Sequence, residues 1–200
     1  MRFSYLDYSR DLLSSTIDNY PPRVYVFDNY KNRQQAEAIY EPPVLEKQSL
    51  FLTMSELKEK LYPPQRLVLK EEKLTVILYE LMNDRQRSLL GIENYFDVID
   101  LAGDFFHFYN ELQEYKVKQE DKIQMMGHMR DWQREKFSIF QDLRRKYLDY
   151  LRDSGYTDKI MSLRQSGFDT HFFRDYREFV FINIVDFSPR EQELLEKLEQ

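Results

Sequence analysis

Two hundred residues with 42% hydrophobic content, 15 Phe and 15 Tyr supply enough apolar area for a buried core, which excludes an intrinsically disordered chain. Acidic residues outnumber basic ones by 35 to 29, so the net charge of −6 excludes a strongly basic nucleic-acid footprint across the whole chain, though not a local basic strip. The absence of cysteine excludes disulfides, thiolate metal sites and cysteine nucleophiles, and it fits a cytoplasmic protein.

The chain opens on "MRFSYLDYSRDLLSSTIDNY", where charges alternate with aromatics. No apolar run there is long enough for a signal peptide or a membrane span, so neither secretion nor membrane attachment is expected. Val24, Tyr25, Val26 and Phe27 follow Pro21 and Pro22 as a β-branched and aromatic run, which predicts a short buried strand. "KNRQQAEAIY" has helical composition and must stop before Pro42 and Pro43, because a residue preceding proline resists the α region. "SLFLT" predicts a second strand. Thr53 and Glu56 then stand at capping-box spacing ahead of Leu57 and Leu61, which share a helix face, and Pro63 and Pro64 end that helix.

From Leu69 to Gly167 the pattern is almost wholly helical. Apolar residues recur at Leu74, Ile77, Leu78 and Leu81, then at Val98, Leu101, Phe105, Phe108 and Leu112. The longest expected helix runs from about Lys118 to Arg152, with Phe140, Leu143, Tyr147 and Leu151 on one face, and it either projects or breaks near Gly127; Gly155 ends it. Phe179–Val185 is expected to be a strand that closes the unit in a mainly parallel sheet with Val24–Phe27, the intervening helices acting as one large crossover. The fold class expected is therefore α/β and predominantly helical. Residues 1–68 and 168–200 form the two parts of an α/β base, and residues 69–167 form an all-helical insertion between its strands.

Three stretches in this order resemble motifs of superfamily 1 DNA helicases. "NYKNRQQAEAI" resembles the motif in which an aromatic, an Asn-Lys pair and a downstream Glu open a helix, the positions here being Tyr30, Asn32, Arg33 and Glu37. "LFLTMSELKEKLY" resembles the next motif, a strand ending in Thr53. "VFINIVDFSPREQELLEKL" resembles the strand of the magnesium-binding Asp-Glu pair with its following turn and helix. The family most similar in pattern is the AddB-type subunit of bacterial helicase-nucleases, whose members end in a PD-(D/E)XK nuclease domain and keep a helicase-like shell. Their "DGF-x-DFTP-x-E" signature resembles "INIVDFSPRE", with Asp186, Phe187, Pro189 and Glu191 in register.

The resemblance implies a P-loop-helicase-like parallel base and a role in DNA double-strand-break resection and repair, within a chain continuing beyond residue 200 into an exonuclease domain. It implies Lys31, Asn32 and Arg33 as contacts to a strand's backbone. The partners implied are single-stranded or duplex-end DNA, bound weakly by this segment alone, and a helicase-nuclease partner subunit. The departures from the pattern point to an inactivated ATPase. No glycine-rich loop ending in Gly-Lys-Ser/Thr precedes Val24, and Ile182 and Asn183 occupy the carboxylate positions, while Asp186 matches a position that couples motifs. No catalytic residue, nucleotide site, metal or cofactor is expected in this segment. The alternative is a helical protein-protein interaction domain without a nucleic-acid role.

Three further constellations have simpler readings. Asp100, Asp104 and His107 share a helix face at metal-ligand spacing but lack a matching acidic partner helix, so a solvated face is expected. Phe105, Phe106, Phe108 and Tyr109 suit core packing better than base stacking. Arg130, Arg134, Lys136, Arg144, Arg145 and Arg152 are interspersed with Asp131, Glu135, Asp142 and Asp149, as on a salt-bridged helix surface.

Overall fold

The computed structural model describes residues 11–18, 20–44, 46–118 and 126–199. The N-terminal ten residues and the 119–125 part of the expected long helix lie outside that set. The fold is mixed α/β and mostly helical, with a small parallel sheet. It divides into two compact units, one of residues 1–63, 166–187 and 199–200, the other of residues 64–165 and 188–198.

In the first unit a short helix α1 (Leu12–Thr16) precedes strand β1 (Val24–Phe27), helix α2 (Tyr30–Ile39), strand β2 (Leu50–Thr53) and helix α3 (Met54–Leu61). All four β1 residues are buried, because a central parallel strand is covered on both faces and needs a continuous apolar run. The prolines act as expected: α2 ends at Ile39 and α3 at Leu61, each short of a Pro-Pro pair. Thr53 and Glu56 form a reciprocal capping box, and Leu57 and Leu61 are fully buried. Tyr25 and Phe27 pack on Phe51, Ala36 and Ile182, with the Tyr25 and Phe51 rings stacked at 5.2 Å.

After two short elements of the second unit, β3 (Leu67–Val68) and β4 (Tyr156–Thr157), the last strand of the sheet is β5 (Phe179–Ile182). It pairs in parallel with β1, matching Ile182 to Phe27, and β1 pairs in parallel with β2, matching Phe27 to Thr53. The pairing of Val24–Phe27 with the distant closing strand is thus present. The strand is shorter than the expected Phe179–Val185, since Asn183 adopts the left-handed conformation at φ 59 and turns the chain out of the ladder. Val185 is consequently 95% exposed.

The second unit holds α4 (Glu71–Leu81), α5 (Asp84–Leu90), α6 (Asp97–Glu114), α7 (Asp131–Ser154), α8 (Lys159–Gln165) and α9 (Pro189–Leu198). β3 and β4 pair in parallel at its side. Its core joins Leu74, Ile77 and Leu78 of α4 to Phe105 and Tyr109 of α6 and to Phe140, Leu143, Tyr147 and Leu151 of α7. The Phe105 ring meets Phe140 at 5.7 Å and Tyr147 at 6.0 Å, both edge-on, the arrangement the ring quadrupole favours. α7 begins at Asp131, and Gly155 ends it in the left-handed conformation at φ 75. α9 buries Leu194 and Leu195, Ser188 donates to the Glu114 carboxylate at 2.7 Å, and Arg190 donates to the Leu163 carbonyl, so residues 168–200 divide after Phe187. Among the described residues no helix is long and apolar enough to cross a membrane.

Candidate functional site at the carboxyl edge of the sheet

The strand order β2-β1-β5 means that the chain leaves β1 for a neighbour on one side and later returns to its other side. Open α/β sheets place ligands outside the carboxyl ends of the strands where the order reverses in this way. Here that edge is formed by Asp28 and Asn29 after β1, Thr53 at the end of β2, and Asn183 after β5. Lys31, Asn32 and Arg33 fall in the first turn of α2, directly beyond the end of β1.

Local chemistry explains that turn. Asn29 takes an extended conformation and its side-chain oxygen accepts the Asn32 N–H at 2.9 Å, which caps the helix. The Asn32 amide donates to Asp28 Oδ1 at 2.7 Å. Arg33 reaches in the other direction: its guanidinium pairs with Glu56, lies 3.5 Å from Glu37 and stacks 4.5 Å from the centroid of Tyr30. Glu56 in turn accepts the Thr53 N–H at 2.7 Å, so one carboxylate joins the start of α3 to the first turn of α2.

The electrostatics follow. Burial alone would raise the Glu56 pKa, but the hydrogen bonds from Thr53 and Arg33 outweigh it and hold the carboxyl below its ordinary value. The hydrogen bond to Glu56 raises Arg33 above its ordinary value despite desolvation. Of the three residues expected to touch a strand's backbone, Lys31 is exposed and makes no ion pair among the described residues. Asn32 is engaged by Asp28, and the Arg33 side chain, 16% exposed, is engaged by its two glutamates. Sequence reasoning missed the pairing of Arg33 with Glu56. The capping spacing marks Glu56, yet nothing local in the chain announces a partner 23 positions away.

The positions matched to the magnesium site are built differently. Ile182 is 3% exposed and packs in the core with Tyr25 and Phe27. Asn183 is the left-handed residue that ends β5, and Asp186 is exposed in the irregular stretch after it. Neither Ile182 nor Asn183 supplies a carboxylate at the end of β5 to hold a divalent cation. At the end of β1, Asn29 satisfies the Asn32 N–H, one of the first-turn donors that an anion at the helix N-terminus would use.

Elsewhere the simpler readings account for the geometry. Asp100, Asp104 and His107 are exposed, and Asp104 pairs with Lys136 at 3.0 Å. Among the described residues no group of three or more His, Cys, Asp or Glu is placed to hold a metal. Phe105 and Tyr109 are fully buried, with Phe106 and Phe108 packed against the same core. Along α7, Arg134 pairs with Asp131, Arg145 and Lys146 with Asp142, and Arg152 with Asp149. Compared with known proteins, the chain matches no family model and no curated sequence.

Proposed function

We propose that this segment is a non-catalytic, helicase-like scaffold that guides DNA within a double-strand-break repair helicase-nuclease. In this reading its three parallel strands correspond to the first, second and closing strands of an inactivated P-loop-helicase base. The observation that carries the reading is the joint position of Lys31 and Ile182. An exposed cation stands beyond the central strand at the switch point, and a buried isoleucine ends the neighbouring strand where an active site would need a carboxylate. Such an edge suits sequence-independent contact with phosphates and is poorly equipped for nucleotide hydrolysis. With a chain charge of −6 opposing it, binding is weak and falls steeply with salt.

The test is fluorescence anisotropy of a labelled single strand at about 50 and about 200 mM salt. The expected result is weak binding of all sequences alike, with Lys31→Ala lowering affinity uniformly and reducing the slope of log affinity against log salt by about 0.7. No binding at the lower salt rejects the reading. The alternative, a helical interaction domain, is favoured by the exposed Phe96 and Ile99 at the start of α6, and capture of a protein partner through α6 without DNA binding selects it.

A further inference from the structure

The first half of α6 departs from ordinary helix chemistry at three positions on one exposed face. Phe96 stands at the N-cap, where Ser, Thr, Asp or Asn is preferred for its side-chain acceptor, and it is 76% exposed. Ile99 is 51% exposed. Gly103 lies in the exposed helix interior, where glycine is less stable than alanine. A Cβ at Gly103 meets no atom within 4 Å, so packing does not require glycine there. Spacings of three and four align these residues along the helix, and local preferences broken together mark a working surface. The Phe96 ring is held in place: it meets Tyr95 edge-on at 5.9 Å, and Tyr95 meets Tyr79 of α4 edge-on at 6.0 Å. The residue after each of the three is acidic, so Asp97, Asp100 and Asp104 form a carboxylate stripe beside the apolar one. Asp97 accepts the Glu93 and Asn94 N–H groups at 2.9 Å, and Asp104 meets Lys136 of α7 at 3.0 Å. The Glu93 and Asp100 side chains are exposed and make no ion pair among the described residues. Between residues 88 and 115 the sequence has no lysine or arginine.

We infer that this face of α6 docks an amphipathic helix of a partner protein that carries lysine or arginine beside its apolar stripe. Charge decides the occupant. The carboxylate stripe repels a nucleic-acid backbone or an anionic membrane surface, and a two-fold contact of α6 with α6 of a second copy sets like charge against like. A basic helix turns each of those repulsions into attraction. Phe96 and Ile99 supply the apolar anchors, and the bare backbone at Gly103 lets the partner helix approach closely. Glu93 and Asp100 meet the partner's cations at the rim, where they fix its direction and speed its arrival more than they add affinity. The inference goes beyond the DNA-guiding reading and does not depend on it, because it uses residues of the helical unit and none from the edge of the sheet. To the interaction-domain alternative it adds the chemistry of the partner.

The experiment titrates the full chain into a fluorescein-labelled helical peptide of about three heptads, with leucine at the a and d positions and lysine on the flanks. Two matched peptides carry glutamate on the flanks or serine in place of leucine. Anisotropy is expected to show saturable binding of the lysine peptide, with each matched peptide at least about tenfold weaker. Ile99→Ser and Phe96→Ser each weaken the lysine peptide by at least about tenfold, the lower end for one buried apolar side chain. Asp100→Lys weakens it at least about threefold at low salt, while Asp153→Lys, the same charge change at the end of α7, leaves it unchanged. Gly103→Gln puts a better helix former at an open position, so it raises the melting temperature and still weakens the peptide, a pair of effects that damage to the fold does not give. Absence of saturable binding, equal binding of the glutamate peptide, or parental affinity in Ile99→Ser overturns the docking face. A dimer of the parent in sedimentation that Ile99→Ser dissolves gives the face to a second copy and overturns the basic partner. The DNA titration is read separately: a parent that binds the peptide and no DNA keeps this face and loses only the DNA-guiding reading.

Discussion

The helical unit contains one buried acid whose loss has a calculable cost. Asp158 is 2% exposed, accepts the hydroxyl of fully buried Tyr147 at 2.6 Å and accepts the Met161 N–H at 2.5 Å. Asp158→Ala leaves both donors buried without an acceptor. At about 1–3 kcal/mol for each orphaned group, the loss is about 2–6 kcal/mol, a large share of the 5–15 typical of a domain. Tyr147→Phe tests the same bond from the other end with almost no change of volume. Burial raises the Asp158 pKa above its ordinary value, opposed by the hydrogen bonds from Tyr147 and the backbone. A folded pKa above the unfolded one means that the fold binds the proton more readily, so this group's contribution to stability is present at low pH and falls as pH rises through the folded value. Removing the Tyr147 hydroxyl therefore costs more where Asp158 is ionised, about 1.5–3 kcal/mol for a bond to a charge against about 0.5–1.5 for a neutral one. Urea titration of parent and Tyr147→Phe from about pH 8 to about pH 4, read by the fluorescence of Trp132 on α7, measures this difference. A penalty that grows on acidification refutes the raised pKa of Asp158.

Thr53→Ala breaks the capping box and frees Glu56 from one of its donors, so the sheet unit is expected to lose about 1 kcal/mol in urea titration followed by far-UV circular dichroism. Gly155→Ala places a side chain at φ 75 with no atom within 4 Å of the new methyl, so the expected loss of about 1–2 kcal/mol is conformational and appears as a lower melting temperature. Phosphate-release assays are expected to find no ATP turnover, and Ile182→Asp with Asn183→Glu is expected to create none, because no glycine-rich cradle precedes Val24; turnover abolished by Asp186→Ala would relocate the metal site. The same double substitution buries a charge at the end of β5 and is expected to lower stability markedly, read by the urea midpoint.

Features set within one or two turns of chain were legible in the sequence. The run Val24–Phe27 forms a strand, the proline pairs stop α2 and α3, Thr53 and Glu56 cap α3, and Gly155 ends α7. Each depends on side-chain shape, backbone conformation or hydrogen bonds between residues at most four apart, all of which the chain carries locally. The placement of Lys31 beyond β1 belongs to the same class, since it follows from the strand and the helix start alone.

Only the tertiary structure decided which of those local pieces act together. The order β2-β1-β5 creates the reversal that makes one edge a candidate site, and Glu56 of α3 meets Arg33 of α2, whose guanidinium also lies over the Tyr30 ring. Asn183 ends β5 early, and α9 packs with the helical unit. The pairing of Tyr147 with Asp158 likewise joins a helix face to the turn after it. These outcomes depend on which surfaces exclude water from one another and on charges meeting across elements. The partner of a side chain is then chosen by packing in space, and spacing along the chain carries no record of it.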